Sequence, residues 1–462
     1  MTKPPKFGRG EPSRGATRPG KTGVSPAGSA ASQPIEVMIE GLGQQGDGLA
    51  QWQSKPLYVP YTLPGERVAA ILTDHQGSDY RARPTAILAP AAERVEPVCP
   101  HFGACGGCAL QHLDLEAYHR WKRAGVITTL AQRGIELAAE PEAVFIPAGT
   151  RRRAVFAVIG TRGKCLIGFH QASSRHVIDL QQCNLLTAAL FALVGALRET
   201  LGKALAQGEA WDLLVTECDN GIDILITAKA VPTDRQRFAL ADLAQVQLPN
   251  GAGASIGIAR ITWLVDKRQA VPEPIAQHHV PQVSFAGVKV DLPAQSFLQP
   301  SVAGEAALCD AVLRGIGNAT MVADLYAGCG TFSFPLAKQA RVIAVEGSKP
   351  AVAALNQAAR RALVSDRISA ASQDLDDAPL MPEQLKKIEA VVFDPPRAGA
   401  RTQSEQIARS GVARAVGVSC NPATFARDAR ILIDGGFRLT ELTIVDQFIW
   451  SPHVEVVGRF ER

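Results

Sequence analysis

Met321–Phe332 reads MVADLYAGCGTF. Met321, Val322, Ala323 and Leu325 suit a strand buried on both faces. Gly328 and Gly330 allow a tight turn in which backbone comes close to a ligand. The continuation TFSFPLAKQA predicts a helix, with Thr331 as its cap. Strand, glycine turn and helix together build a ligand crevice at the carboxyl end of an open α/β sheet. Glu346 ends a second apolar run, RVIAVEGS, 22 residues after Asp324. A carboxylate at that offset can accept hydrogen bonds from both ribose hydroxyls of a nucleoside. The stretch has no GxGxxG and no phosphate-loop lysine, which favours a nucleoside without a pyrophosphate. S-adenosylmethionine fits that description.

The pattern is βαβ from Lys289 onward. Strands are expected at 321–326, 341–346, 367–371, 388–394, 413–419 and 437–445, followed by a last edge-like strand in HVEVVGRFER. The fold class is therefore α/β, a doubly wound sheet with a terminal hairpin; this topology resembles the class I methyltransferase fold, whose final strand is antiparallel. Upstream, Pro34–Pro90 alternates in short strands and predicts a small β-barrel, a shape that often binds oligonucleotides. Residues 96–290 read as a central α+β region. The expected organisation is a basic leader over 1–34, the barrel over 35–95, the central domain over 96–290 and the methyltransferase domain over 291–462.

Charge narrows the partners. The chain has 462 residues and a net charge of +4. The leader holds six Lys/Arg against Glu11, so everything after it sums to −1. Any nucleic-acid site must then be a local patch rather than bulk charge. Arg151–Arg153 is the most basic spot outside the leader, readable as a solvated strand end or as a phosphate contact. No run of 18 apolar residues occurs, so no membrane span is expected. No apolar signal region is seen at the N-terminus, and a cytoplasmic monomer is expected.

Nine cysteines without an export signal point to metal or catalysis. Cys99, Cys105 and Cys108 form C-x5-C-x2-C among glycines. Cys165, Cys183, Cys218, His101 and His112 are candidates for a fourth ligand, and the ordered surroundings of Cys183 favour it. Zinc prefers paired C-x2–4-C spacings, so this spacing tips toward a [4Fe–4S] cluster. Cys165 and Cys218 read as buried core thiols. Cys309 and Cys329 read as packing residues.

Further strand ends carry chemistry. Asp394 begins DPPRAG after one strand. Cys420 follows the next, with Asn421-Pro422 opening a helix whose dipole would lower the thiol pKa. Glu455 starts the final strand. A thiolate and a carboxylate suit methylation at C5 of a pyrimidine. Thiolate addition at C6 makes C5 nucleophilic, and a base then removes the C5 proton.

Asp324–Ala337 (DLYAGCGTFSFPLA), DPPRAG, SCNPATFARD and HVEVV resemble the uracil-C5 RNA methyltransferase family. GLGQQGDGLA with VPYTLPGERV resembles a TRAM domain, and CPHFGACGGCALQH resembles the cluster motif of the family's iron–sulfur rRNA members. The resemblance implies Cys420 as nucleophile and Glu455 as base. It implies cofactor contacts at Gln299, Tyr326, Glu346 and Asp394, and cluster ligation by Cys99, Cys105, Cys108 and Cys183. The substrate it implies is structured RNA, with 23S rRNA favoured over tRNA. After Gln299 the chain reads PSVAG where many members have an asparagine-containing turn, leaving Ser301 without an assigned role. Cytosine-C5 methylation is disfavoured because DPPRAG has no second cysteine. A radical enzyme is disfavoured by the x5 spacing. A zinc-stabilised, non-catalytic RNA-binding protein is the remaining alternative.

Overall fold

The computed structural model of the chain describes residues 33–76, 79–172, 174–251, 253–265 and 271–462. The basic leader therefore lies, but for residues 33 and 34, outside the described residues.

The N-terminal sheet has six strands in the order Ile35–Met38, Arg67–Gln76, Asp79–Ala89, Lys55–Val59, Gly48–Trp52, Gly41–Leu42. Alternate residues point inward, and Val37, Ala50, Leu57, Val59 and Val68 make its core. Glu66, from the GERV turn, is fully buried and bonds both Leu63 N–H and the Arg94 guanidinium, each at 2.8 Å. Burial pushes its carboxyl up, but these bonds win and hold it below the ordinary range. The turn motif thus closes the barrel onto the segment that follows it.

A second sheet of eight strands, built from residues 153–277, packs against the helices Ala188–Leu201 and Asp234–Ala244. The third sheet carries the glycine turn. Its order is Ile368–Ser372, Arg341–Glu346, Met321–Leu325, Ala390–Phe393, Arg414–Ser419, Glu455–Glu461, Arg438–Asp446, Glu142–Phe145. The first five strands run parallel, and Glu455–Glu461 returns antiparallel between its neighbours. All four residues of Ala390–Phe393 are buried, as a strand covered on both faces requires.

Three features depart from the sequence reading. Glu142–Phe145 precedes the central sheet in the chain yet pairs in parallel with Arg438–Asp446. The helix Leu115–Ala131, capped by Asp114, likewise packs on the C-terminal core through Val126 and Leu130. Thr331 is not a helix cap. Only Ser333–Leu336 is helical there, Phe332 stands at its N-cap, and no side chain caps it. The hydroxyl in this turn that finds a buried partner is Ser333, which donates to Asp324 at 2.5 Å.

Helix Leu115–Ala131 is tied to the C-terminal sheet by a buried ion pair. Lys122 Nζ lies 3.2 Å from Asp446 Oδ1, and both side chains are about 1% exposed. Tyr118 also donates to Asp446, and Lys122 donates to the His453 carbonyl. Removing one partner leaves a bare buried charge. Lys122→Met is therefore expected to cost about 3–5 kcal/mol in urea unfolding; a cost below about 1 kcal/mol would show that this pair does not anchor the helix.

Candidate active site

A cavity of about 1150 Å³ opens at the carboxyl ends of the parallel strands. Gln299, Tyr326, Glu346, Asp394, Cys420 and Glu455 all line it, so the structure brings together every catalytic and cofactor-contact residue expected from the sequence.

One end is built by the glycine turn. Tyr326, Gly328 and Gly330 all have positive φ, at 61°, 55° and 102°. This bends the backbone sharply over the strand end. Gly328 N–H then donates to Glu346 Oε2 at 2.9 Å, and Ser348 N–H donates to Oε1 at 2.7 Å. These bonds hold the Glu346 carboxylate beside the turn. Asp374 and Asp376, after strand Ile368–Ser372, line the same end, and Tyr326 donates to Asp376 at 3.3 Å. The sequence reading missed both; the acidic run DLDD at a strand end was their signal. Beneath the turn Asp324 is fully buried, with Oδ1 unpartnered. Burial first, then Asp394 and Glu346, push its pKa to about 7 against the Ser333 bond.

The other end is formed by three loops. Asn421 Nδ2 and Thr424 Oγ1 both donate to the Arg397 carbonyl at 3.2 Å. Ala400 N–H donates to Asp428 at 2.7 Å. DPPRAG and SCNPATFARD therefore clamp each other. The register pairing Ser419 with Val456 brings Cys420 opposite Glu455 at the mouth of the antiparallel pair. Glu455 is 3% exposed; burial and the nearby Asp394 raise its pKa to about 8, opposed by a 3.4 Å hydrogen bond from Gln447. Burial also raises Asp394 to about 7.

The Cys420 thiol does not follow the expectation of a lowered pKa. It precedes the N-cap Asn421 of helix Pro422–Asp434, but burial, then Glu455 and Asp394, push it up to about 11, with Arg397 opposing. A helix dipole contributes only about 0.3–1 kcal/mol in ordinary settings. Loss of solvent outweighs it here, and the resting residue is a thiol.

Cys420 and Arg397 also line a second cavity of about 270 Å³. Its other walls include Gln44 and Gln45 of the barrel, Trp121 and Lys122 of the helix, and His453. The nucleophile candidate is thus reachable from the barrel side.

Cys99, Cys105, Cys108 and Cys183 line one small pocket, which His101 also touches. His101 Nε2 is engaged by Gln181 N–H at 2.9 Å. Cys165 and Cys218 are buried in the cores, and His112 does not reach this pocket. Burial raises the Cys105 and Cys183 thiols, and Cys108 to about 12. Among the described residues no three His, Cys, Asp or Glu side chains are arranged to hold a metal ion. The four thiols share a pocket without forming a coordination shell.

Arg151–Arg153 is neither a solvated end nor a free phosphate contact as a whole. Arg152 is 7% exposed, donates to the Gln299 carbonyl at 3.0 Å and pairs with Glu305 at 2.6 Å. Arg151 lies over the Phe448 ring, 5.5 Å from its centroid. Both join the central domain to the catalytic one.

Two family descriptions match the chain: tRNA (Uracil-5-)-methyltransferase over residues 282–460 and TRAM domain over 32–84. An uncharacterized RNA methyltransferase of Agrobacterium fabrum is 39% identical, covering 92% of this chain and 99% of its own. The chain belongs to the RNA uracil-C5 methyltransferase family. A relative in Caulobacter vibrioides, also an uncharacterized RNA methyltransferase, is 40% identical over 92% of this chain and 100% of its own. The 23S rRNA (uracil(1939)-C(5))-methyltransferase of Aeromonas hydrophila is 29% identical over 94% of this chain and 98% of its own. Among solved structures, Pyrococcus abyssi tRNA (uracil-54, C5)-methyltransferase in complex with S-adenosyl-L-homocysteine superposes with a TM-score of 0.70. It is 21% identical, covers 92% of this chain and 99% of its own, and shares the class I fold.

Asp324 gives a pH prediction. Its folded pKa lies above its unfolded value, so the folded protein holds a proton that the unfolded chain releases. Stability contributed by this site falls as pH rises from about 4 through about 7. Asp324→Asn, with no proton to lose, is expected to flatten the drop in Tm between pH 5 and pH 8. An unchanged slope would place the drop elsewhere.

Proposed function

We propose that this protein transfers a methyl group from S-adenosylmethionine to C5 of one uridine in structured RNA, with 23S rRNA the favoured substrate. The observation that carries the reading is Cys420 opposite Glu455 at one end of a cavity whose other end is a Glu346-bearing glycine turn. Glu346 suits the ribose hydroxyls, because its two backbone hydrogen bonds fix the carboxylate while leaving lone pairs free. Tyr326 and Asp394 complete the wall that would hold the methyl donor, and Gln299 borders it. S-adenosylmethionine would supply a sulfonium-activated methyl group to C5.

The chain's own residues carry the rest. The Cys420 thiol releases its proton to solvent, not to Glu455, as sulfur bonds C6 of the uracil, and the ring electrons move onto C5 and the C4 carbonyl. After C5 has gained the methyl group it still bears its hydrogen. Glu455, as carboxylate, takes that proton, the C5–C6 double bond reforms and the C6–S bond breaks. The uridine must leave its stack to reach this corner. The second cavity, between the barrel and Cys420, gives RNA its approach. The 23S rRNA preference rests on the Aeromonas relative; the family description that names tRNA keeps a tRNA substrate as the second reading.

Cys99, Cys105, Cys108 and Cys183 are of the donor type that a [4Fe–4S] cluster takes, and holding one would have to draw the four thiols into a shell they do not form here. Such a cluster would crosslink the loop to Cys183 rather than take part in redox chemistry, since methyl transfer moves no net electrons. The loop is already joined to the catalytic end: Ala109 and Leu110 N–H donate to the Trp450 carbonyl at 2.8 and 3.1 Å.

Cys420→Ala is expected to lower methylation at least about 10³-fold while S-adenosylhomocysteine still binds. RNA carrying 5-fluorouridine should trap a covalent adduct at Cys420, because fluorine cannot leave as a proton does; turnover by the alanine variant would refute the mechanism. Protein purified without oxygen is expected to contain iron and acid-labile sulfide. Zinc alone would remove the cluster from the reading.

A further inference from the structure

A buried chain of hydrogen bonds runs from a helix start to the two polar groups of the reacting corner. Ser301 caps helix Val302–Ile316, its Oγ accepting from Gly304 N–H at 3.0 Å. The Ser301 hydroxyl donates in turn to Gln447 Oε1 at 3.3 Å. Gln447 Nε2 donates to Gln299 Oε1 at 2.7 Å and to Glu455 Oε1 at 3.4 Å. Ser301, Gln447, Gln299 and Glu455 are between 1% and 6% exposed. Gly304 is fitted to this arrangement, because a Cβ there would overlap Gln447 Oε1 and come 2.7 Å from Ser301 Oγ.

The polarity of the chain follows from its ends. Gly304 N–H occupies one lone pair of Ser301 Oγ, and the hydroxyl proton goes to the amide oxygen of Gln447. At the far end Glu455 must ionise to act as the base, and its carboxylate then requires a donor. Both conditions turn the Gln447 oxygen toward Ser301 and its nitrogen toward Gln299 and Glu455. Gln299 must then present its oxygen to Gln447. Its Nε2, with no hydrogen-bond partner among the described residues, is left for the cavity that Gln299 lines.

We propose that Gln447 is a positioning residue that locks Gln299 with its amide hydrogens toward the cavity, making the site select a ring carbonyl over a ring amino group. Resting on the methyltransferase reading above, this assigns to Gln447 the choice of uracil over cytosine. The two rings differ at C4, a carbonyl acceptor in uracil and an amino donor in cytosine. An amide that shows only donors pairs with the first and leaves the second facing donor to donor. The same Nε2 could meet the carboxylate of the methyl donor. The base is the better partner because Gln447 ties Gln299 to Glu455, opposite Cys420, and not to Glu346. Gln447 also serves the proton step, since its N–H stabilises the Glu455 carboxylate. The other ionisable groups acting on Glu455 are Asp394 and Cys420, while Arg397 acts on Cys420 and lines the same cavity; among the described residues none of them bonds Gln447.

The test uses the full chain and an RNA whose methylated position has first been mapped by mass spectrometry, made with uridine or cytidine there. Gln447→Met keeps the shape and removes the amide. It is expected to lower the uridine-to-cytidine ratio of kcat/KM about tenfold or more. It should also move the alkaline rise of the single-turnover rate to higher pH, with S-adenosylhomocysteine affinity unchanged. A wild-type ratio together with a wild-type pH midpoint would overturn the proposal. So would weakened S-adenosylhomocysteine binding with the ratio intact, which would turn Gln299 toward the methyl donor. Should Gln447→Met not fold, Ser301→Ala, which frees the Gln447 amide to invert, is read by the same ratio, with the same outcomes for and against. If the wild-type protein methylates no uridine in any cellular RNA, the function itself falls, a failure visible before any variant is made.

Discussion

The Asp446 carboxylate, sealed from water between Lys122 and Tyr118, is the fixed point on which the catalytic end depends. A buried charge tolerates little displacement, since losing its partner costs several kcal/mol. Asp446 ends one strand, and the loop after it carries Gln447 and leads to Glu455. Four parts of the chain converge on this loop. Helix Leu115–Ala131 supplies Lys122 and Tyr118. The cysteine segment supplies the Ala109 and Leu110 N–H groups on Trp450. The central domain supplies Arg151 over Phe448. The start of helix Val302–Ile316 supplies Ser301. The cysteine segment, the central sheet and the candidate catalytic groups thus share one mechanical junction.

The walls of the cavity are rich in protons at rest. Asp324, Asp394 and Glu455 each titrate near or above neutrality, and the Cys420 thiol lies higher still. The cause is common to all four: the carboxyl ends of the strands are closed off from water, so each added negative charge is costly. The fold does not keep a standing thiolate. It keeps a neutral sulfur beside groups whose ionisation is mutually exclusive to a degree, so the arrival of compensating charge governs which of them is ionised.

Much of the α/β sheet was legible because parallel strands covered on both faces read as unbroken apolar runs. Met321–Leu325 and Arg341–Glu346 fall within a residue of their expected bounds. The places of the candidate residues were legible where one follows such a run, as at Asp394 and Cys420, whereas Glu455 opens its strand and was reached through the family resemblance. Other features depend on partners far away in the chain. Nothing local marks Glu142–Phe145 as the edge of the C-terminal sheet. Arg152 looked basic and exposed until Glu305 and the Gln299 carbonyl were placed around it. Ser301 and Gln447 acquire meaning only from each other, 146 residues apart. Thr331 matched the composition of a cap, but the backbone begins its helix two residues later. The Cys420 thiol was misjudged because dipoles can be inferred from sequence and desolvation cannot.

The edge strand also has a bearing on synthesis. Thr443 and Glu142, joined across the edge of the sheet, stand 301 residues apart. At about 5–20 residues per second, a ribosome needs roughly 15–60 seconds to make the second after the first. During that interval the helix and strand of residues 115–145 have no sheet to cover, and the apolar faces of Val126 and Leu130 lack their final partners. The central domain, encoded between them, can meanwhile close on its own core. The nascent chain therefore carries an unmatched clasp through almost all of the last two thirds of its synthesis.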